Sequence, residues 1–199
     1  MDSDDTASGA LRDTANPAPR DATRILPFVE AGGLDDRAGR VEVPADPRDL
    51  PGDFHHRRAV EVRFGDTDAM GHVNNAVFLS YLEMARAGYY QRVTGGLFGI
   101  GATSGERSFI LADVRLTFRS PAWFAEILTL ETRVTRIGRT SFGMEHRITA
   151  PDSAFGPARL VATADTVLVM YAYDEGAVRP IPDDLAERIE AFEERSLRG

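Results

Sequence analysis

Apolar and polar residues alternate with a period of two in several segments of the chain, which predicts β-strands. In the first segment, Val60, Val62 and Phe64 alternate with less apolar neighbours. The predicted strands are residues 59–64, 110–119, 128–135 and 142–149, followed by a longer, more apolar run at 160–173. Short connections containing Pro or Gly separate the last four, so we expect mostly antiparallel neighbours.

Two segments have helical spacing instead. Residues 73–93 contain one glycine and no proline. Their apolar residues occupy more than one stripe, which predicts a largely buried helix, and Asn74 or Asn75 is placed to cap its start. A second helix is predicted in the C-terminal tail, where the apolar positions are Leu185, Ile189 and Phe192.

The predicted order is strand, helix, four strands, helix, which is an α+β arrangement. A single antiparallel sheet has to bury its apolar face against another element, and the first helix is available for this. The strands are longer than the usual length of about 5–6 residues, and long twisted sheets curl. We therefore predict a long antiparallel sheet wrapped around one central helix.

The first 56 residues lack this periodicity and carry most of the negative charge. They contain 12 acidic residues against 6 arginines, whereas residues 57–199 contain 19 against 17. Residues 1–24, rich in Asp, Ala, Thr and Pro, are predicted to be a disordered acidic extension. Residues 25–56 are broken by four prolines and are predicted to be an extended arm. The main domain is expected at 57–175 and the tail helix within 176–199.

Composition excludes several classes of protein. The chain has no cysteine, so it has no disulfide framework and no thiolate site. Its formal net charge of −8 argues against nucleic-acid binding, which needs a basic face. No run approaches the length of a membrane span, about 18 apolar residues. The acidic N-terminus resembles neither a secretory signal nor a transit peptide, so we expect a cytoplasmic protein. No spacing typical of a zinc site, P-loop or dinucleotide site is present, so we expect no metal and no cofactor.

The densest set of functional side chains lies between the first strand and the central helix, in residues 64–75. It consists of Asp66, Asp68, His72, Asn74 and Asn75, together with two glycines. Any one of these polar residues has an ordinary structural role in an Asx turn or a helix cap. A cap needs only one or two of them, however, and a buried carboxylate is unfavourable unless it is paired or used. The cluster as a whole therefore indicates a functional site.

Residues 62–86, V-R-F-G-D-T-D-A-M-G-H-V-N-N-A-V-F-L-S-Y-L-E-M-A-R, resemble the signature of the 4-hydroxybenzoyl-CoA thioesterase-like branch of the hot-dog superfamily. R-I-G-R-T-S-F at 136–142 and the order of elements agree with it. The resemblance covers roughly residues 57–175 and implies the hot-dog fold. It also implies an acyl-CoA thioesterase without metal or cofactor, acting as a homodimer or dimer of dimers with its sites between subunits.

The resemblance assigns the catalytic carboxylate to Asp68, as a nucleophile on the thioester carbonyl or as a general base on water. The backbone N–H of Asn75 would donate to the developing oxyanion, which suits the positive end of a helix dipole. Gly71 would allow a tight turn and the approach of substrate. His72 either positions Asp68 or the attacking water, or donates to a backbone carbonyl.

The other polar residues point to structural roles. Asp66 is expected to form the turn, and Asn74 to cap the helix rather than react. Glu83 lies three residues before Arg86, so we expect a structural ion pair. A second hot-dog subgroup takes its catalytic carboxylate from the central helix, which is the alternative role for Glu83. His146 falls on the apolar face of its strand and is expected to be a core histidine.

Binding of CoA requires partners for its phosphates, and arginines and hydroxyls supply them. The resemblance places such contacts at Arg136, Arg139, Thr140 and Ser141. The alternative is that these arginines belong to a solvated strand end. The walls of the acyl pocket are expected to come from loop 95–105 and from Phe78, Tyr81, Leu82 and Phe109.

Two other functions stay open. A hot-dog hydratase or dehydratase would use His72 with a carboxylate for proton transfer next to the carbonyl. A non-catalytic acyl-CoA binding domain is the second alternative, because a fold does not fix a function. The sequence also does not separate CoA thioesters from those of an acyl carrier protein.

Overall fold

A computed structural model describes residues 52–95 and 108–199. The predicted extension at 1–24, the arm up to residue 51 and residues 96–107, which include most of the loop 95–105, lie outside the described residues. The elements are β1 (His56–Glu61), α1 (Val77–Thr94), β2 (Phe109–Phe118), β3 (Ile127–Ile137), β4 (Ser141–Ala150), β5 (Arg159–Ala172), β6 (Ala177–Val178) and α2 (Asp183–Glu193). None of the described helices is long and apolar enough to cross a membrane.

The strands form one antiparallel sheet in the order β1-β3-β4-β5-β2, with the short β6 paired to β5. The four long strands after the central helix are confirmed. The first strand is shifted, because it ends at Glu61 rather than at Phe64. Residues Phe64–Asp66 instead close into a 3₁₀ turn, and Phe64 is 77% exposed.

Helix α1 lies against the inner face of the sheet and starts at Val77, four residues later than predicted. One stripe of α1 is buried in the core. Its members are Phe78, Tyr81, Leu82, Ala85, Tyr89 and Val93. The opposite stripe departs from the prediction of a largely buried helix. On this stripe Leu79 is 43% exposed, and Glu83 is exposed as well. The helix ends at Gly95, whose positive φ of 69° provides the left-handed cap that favours glycine.

Two aromatic contacts fix the direction of α1 relative to β2. Phe78, near the start of α1, packs edge-to-face on Phe118 at the end of β2, with ring centroids 5.2 Å apart. Tyr90, near the end of α1, packs in the same way on Phe109 at the start of β2, at 5.1 Å. The helix therefore runs antiparallel to β2 along its whole length.

His146 is a core histidine, as predicted. Its two ring nitrogens lie 3.0 Å from the hydroxyls of Thr132 and Thr166. Burial, and then the nearby charge of Arg86, lower the pKa of His146 to about 3. The imidazole is therefore neutral near pH 7 and belongs to a buried polar layer beneath α1.

The tail helix α2 packs on the second half of α1. Phe192 of α2 contacts Tyr89 of α1, with ring centroids 5.3 Å apart. The buried carboxylate of Glu193 accepts the Tyr89 hydroxyl at 2.6 Å and the backbone N–H of Val134 at 2.7 Å. Burial, and then the charge of Glu193, raise the pKa of Tyr89 well above its ordinary value. One side chain therefore joins α2, α1 and β3.

Glu193→Ala is expected to destabilise the protein by about 3 kcal/mol, because two buried donors lose their acceptor at about 1–3 kcal/mol each. For a chain of this size that corresponds to a fall in Tm of roughly 6–12 °C. Thermal melting measures the effect. Glu187→Ala, on the exposed face of the same helix, is the control and should change stability by less than about 0.5 kcal/mol. Equal melting temperatures for the two variants would contradict this role of Glu193.

Candidate active site

The polar cluster folds into a compact turn between β1 and α1, residues 62–76. After the 3₁₀ turn, Thr67 pairs with Val73 in a narrow hairpin. The N–H of Val73 also donates to the carbonyl of Ala122 at 2.8 Å, in the connection between β2 and β3. The turn is thereby tied to the end of the sheet where β2 finishes and β3 begins.

Asp66 is buried and fully engaged. Its carboxylate accepts the backbone N–H of Arg63 at 2.9 Å, the guanidinium of Arg63 at 3.0 Å and the hydroxyl of Tyr81 at 2.9 Å. Burial alone would raise the pKa of Asp66, but the hydrogen bonds from Arg63 and then Tyr81 outweigh it and hold the pKa below its ordinary value. Asp66 thus fastens the turn to α1. Sequence reasoning missed this network, although an arginine three residues before an aspartate was a usable signal.

Asp68 is only partly engaged. Its Oδ1 accepts the backbone N–H of Met70 at 2.8 Å, which forms an Asx turn. Within the described residues its Oδ2 has no hydrogen-bond partner, and the side chain is 28% exposed. The N–H of Gly71 closes the turn on the Asp68 carbonyl at 2.9 Å, and Gly71 has a φ of +83°, which favours glycine. Asp68 therefore presents one free carboxylate oxygen at a rigid turn.

His72 lies beside Asp68 and packs edge-to-face on Trp123, with ring centroids 6.2 Å apart. Its Nδ1 is 3.4 Å from the carbonyl of Val73 and 3.9 Å from Oδ1 of Asp68. The geometry favours donation to the backbone carbonyl over direct positioning of Asp68. No group of three or more His, Asp or Glu side chains able to hold a metal ion occurs in the described ranges.

The asparagines lie just before α1 rather than within its first turn. Oδ1 of Asn74 accepts the N–H of Ala76 at 2.9 Å, and its carbonyl accepts the N–H of Val77 at the same distance. Asn74 therefore organises the turn that leads into the helix, whereas the N-cap residue Ala76 has no side-chain acceptor with which to cap the first turn. In the described part of the chain, the exposed Asn75 makes no backbone N–H hydrogen bond. A free donor therefore sits at the entry to α1.

The predicted CoA contacts lie at the other end of the sheet from Asp68. Arg136 is near the end of β3, and Arg139 and Thr140 form the turn before Ser141 begins β4. Because β3 has 11 residues at about 3.3 Å each, roughly 30 Å separates this turn from the end that carries Asp68. Arg136 and Arg139 are both exposed. One chain therefore does not bring the two groups together.

A cavity of about 330 Å³ lies at that same far end, between the second half of α1 and the starts of β2 and β4. Glu83 and Arg86 line it and form no ion pair with each other within the described residues, so the predicted pair is absent. Among the expected pocket walls that belong to the described residues, only Phe109 lines this cavity. Phe78, Tyr81 and Leu82 belong to the core instead, because the buried stripe of α1 faces the sheet.

The sequence matches the protein-family model of the thioesterase-like superfamily over residues 62–189, which is more than half of the chain. The chain belongs to this superfamily. As predicted, this superfamily member has the hot-dog fold and is of the thioester hydrolase class. No curated protein matches the chain significantly.

Solved structures agree with this assignment. A thioesterase from Thermus thermophilus, complexed with coenzyme A and Zn, is 37% identical, with a TM-score of 0.60 over 72% of this chain and 98% of that chain. A thioesterase superfamily protein from Jannaschia sp. CCS1 is 25% identical, with a TM-score of 0.62 over 73% of this chain and 87% of that chain. A variant of 4-hydroxybenzoyl-CoA thioesterase complexed with 4-hydroxybenzoyl-CoA is 23% identical, with a TM-score of 0.59 over 67% of this chain and 96% of that chain. This last similarity shows that the fold is shared.

Proposed function

We propose that this superfamily member is an acyl-CoA thioesterase in which Asp68 and the backbone N–H of Asn75 carry the chemistry. The supporting observation is that one turn leaves a carboxylate oxygen and a backbone donor unengaged by the described residues, at the entry to α1. Hydrolysis of a thioester needs both a nucleophile or base and a donor for the developing oxyanion. The remaining groups of the turn are occupied in holding its shape.

The reaction has two routes that use the same groups. Asp68 attacks the carbonyl carbon to form an anhydride that water then opens, or it takes a proton from a water that attacks directly. In both routes the carbonyl oxygen becomes negative, and the N–H of Asn75 and the positive end of α1 stabilise it. Collapse of this oxyanion breaks the carbon–sulfur bond and expels CoA as a thiolate, which takes up a proton. The carboxylic acid forms at this step in the general-base route, and only after water has opened the anhydride in the nucleophilic route. In this scheme His72 helps to hold the turn through the carbonyl of Val73 and does not act on Asp68 directly.

The active unit in this proposal contains two copies of the chain. Strand β2 is an edge of the described sheet and pairs only with β5 there. Leu111 and Phe118 on this strand are 42% and 43% exposed. A long apolar edge with unpaired backbone groups is a template for pairing with another strand. Antiparallel pairing of β2 with its own copy would close the edge by two-fold symmetry.

The two-fold pairing also explains why one chain separates the candidate groups. A two-fold axis at β2 reverses the strand and the helix that runs along it, so the two α1 helices lie antiparallel. The end of the sheet that carries Asp68 in one copy then lies beside the opposite end of the sheet in the other copy. That far end holds the cavity and the turn with Arg136 and Arg139. Each site would thus take its carboxylate from one copy and its CoA contacts from the other.

Release of free thiol from acyl-CoA, followed with a thiol-reactive dye, tests the proposed function. Thiol release that depends on enzyme concentration supports it. Loss of a double-bond signal without thiol release would indicate a hydratase, and binding without turnover an acyl-CoA binding domain. The same assay on an acyl carrier protein thioester shows whether the enzyme acts on thioesters of CoA or on those of the carrier protein. A cytoplasmic location stays a prediction.

Arg139→Ala is expected to raise KM for an acyl-CoA by roughly tenfold, because a hydrogen bond to a charged group is worth about 1.5–3 kcal/mol. The KM for the corresponding acyl-pantetheine, which lacks the nucleotide, should hardly change. Arg188→Ala, an exposed arginine of α2, is the matched control. Equal increases for both substrates would show that Arg139 acts through folding rather than through the nucleotide.

A further inference from the structure

The compact turn that carries the candidate catalytic groups is held near both of its ends by the connection between β2 and β3. At the start of the turn, Val62 accepts the N–H of Ala125 and donates its own N–H to the carbonyl of Glu126, both at 2.9 Å. Near the other end, the N–H of Val73 donates to the carbonyl of Ala122 at 2.8 Å. The geometry of the turn therefore depends on the shape of this connection.

The side chain of Glu126 fixes the shape of the connection. It is 1% exposed, and its Oε2 accepts the backbone N–H of Trp123 at 3.1 Å. The same oxygen accepts the guanidinium of Arg159, at the start of β5, at 2.7 Å. That guanidinium also donates to the carbonyl of Pro121 at 3.0 Å. One buried carboxylate and one arginine thus fasten the connection to β5.

Two features of the connection are unfavourable for stability. Ala125 has a φ of +65°, in the left-handed region that favours glycine, and such strain persists only where the surroundings impose it. Oε1 of Glu126 and Nη1 of Arg159 are buried and have no hydrogen-bond partner among the described residues. A buried ion pair contributes little net stability, because the loss of hydration opposes the attraction between its charges. The connection is therefore held in a defined shape at a cost in stability, and strain of this kind clusters at active sites.

We propose that Glu126 is a positioning residue of the candidate active site. Through the connection it holds Asp68 and the backbone N–H of Asn75 at the spacing that the thioester carbonyl requires. This inference rests on the proposed thioesterase function and adds to it a residue that acts without touching the substrate. A displacement of about 1 Å in a reacting group can lower a rate by about 10²-fold. Loss of the Glu126 side chain should therefore slow the chemical step and leave substrate binding nearly intact.

Glu126→Ala is expected to lower kcat by about tenfold or more. The value of KM should change little, because the predicted CoA contacts do not involve this connection. The hexyl thioether of CoA lacks the reacting carbonyl, so its binding, measured by calorimetry, counts the intact sites and allows kcat to be expressed per site. Glu126→Gln keeps an oxygen that can accept the N–H of Trp123, and it should restore most of the lost kcat.

Glu131→Ala is the matched control, because it also removes a buried carboxylate that is paired with arginine. The carboxylate of Glu131 bonds to Arg57 at 3.0 Å and to Arg147, on the face of β3 opposite to the core residue Leu130. This variant should have a lower melting temperature but the wild-type kcat per site. An unchanged kcat per site in Glu126→Ala, or an equal loss in Glu131→Ala, would overturn the inference.

Hydrogen exchange separates this inference from the proposed function, because it needs no substrate. The N–H of Val73, which bonds to the connection, should exchange at least about tenfold faster in Glu126→Ala than in the wild type, and at the wild-type rate in Glu131→Ala. If Glu126→Ala does not fold, Arg159→Ala should show weaker forms of the kinetic and exchange effects, and the absence of both would overturn the inference. A wild-type exchange rate at Val73 in Glu126→Ala would also overturn it, whereas absence of thiol release from every thioester by the wild type would overturn the function.

Discussion

Asp68→Asn is expected to lower kcat for acyl-CoA hydrolysis by at least about 10²-fold, because a nucleophile or general base contributes that much or more. The amide keeps the shape of the side chain and can still accept the N–H of Met70 at Oδ1. It loses the charge and the basicity of the free oxygen. KM should change little, because the carboxylate acts mainly in the transition state. Steady-state thiol release measures both constants.

Two carboxylate variants serve as controls for Asp68. Asp66→Asn is expected to reduce stability, because one oxygen of this buried carboxylate becomes an amide donor facing Arg63. Its kcat, measured where the variant is folded, should fall far less than that of Asp68→Asn. Glu83→Gln should also keep most of its turnover. Near-normal turnover in Asp68→Asn together with inactive Asp66→Asn or Glu83→Gln would show that the wrong carboxylate was assigned.

Much of the sheet could be predicted because a strand that is buried on one face has a strict period of two. The order and type of the elements followed from that pattern and from the short connections. The first strand was misplaced because the alternation continues through Phe64, although the hydrogen bonds of Arg63 with Asp66 end it earlier. Helix α1 was extended too far back for a similar reason, since Asn74 shapes a separate turn before it.

The spatial grouping of the candidate residues was predictable only where they lie close together in the chain. Asp68 and Asn75 belong to one turn, so their relation could be inferred from a stretch of eight residues. The cavity could not, because α1, β2, β4 and β5 meet there only after the sheet has formed. Arg86 illustrates the difference. Its spacing from Glu83 predicted an ion pair, whereas the fold turns its Nη1 into the protein.

Hybrid dimers test the central claim, a site shared between two copies, most directly. One copy carries Asp68→Asn and the other carries Arg136→Ala with Arg139→Ala, and two different affinity tags allow the hybrid to be isolated. In a shared site both defects fall together in one of the two sites, and the other site is intact. The hybrid should therefore have about half of the wild-type kcat/KM at limiting acyl-CoA, although each parent homodimer is strongly impaired. A hybrid no more active than the average of its parents would show instead that each chain carries a complete site of its own.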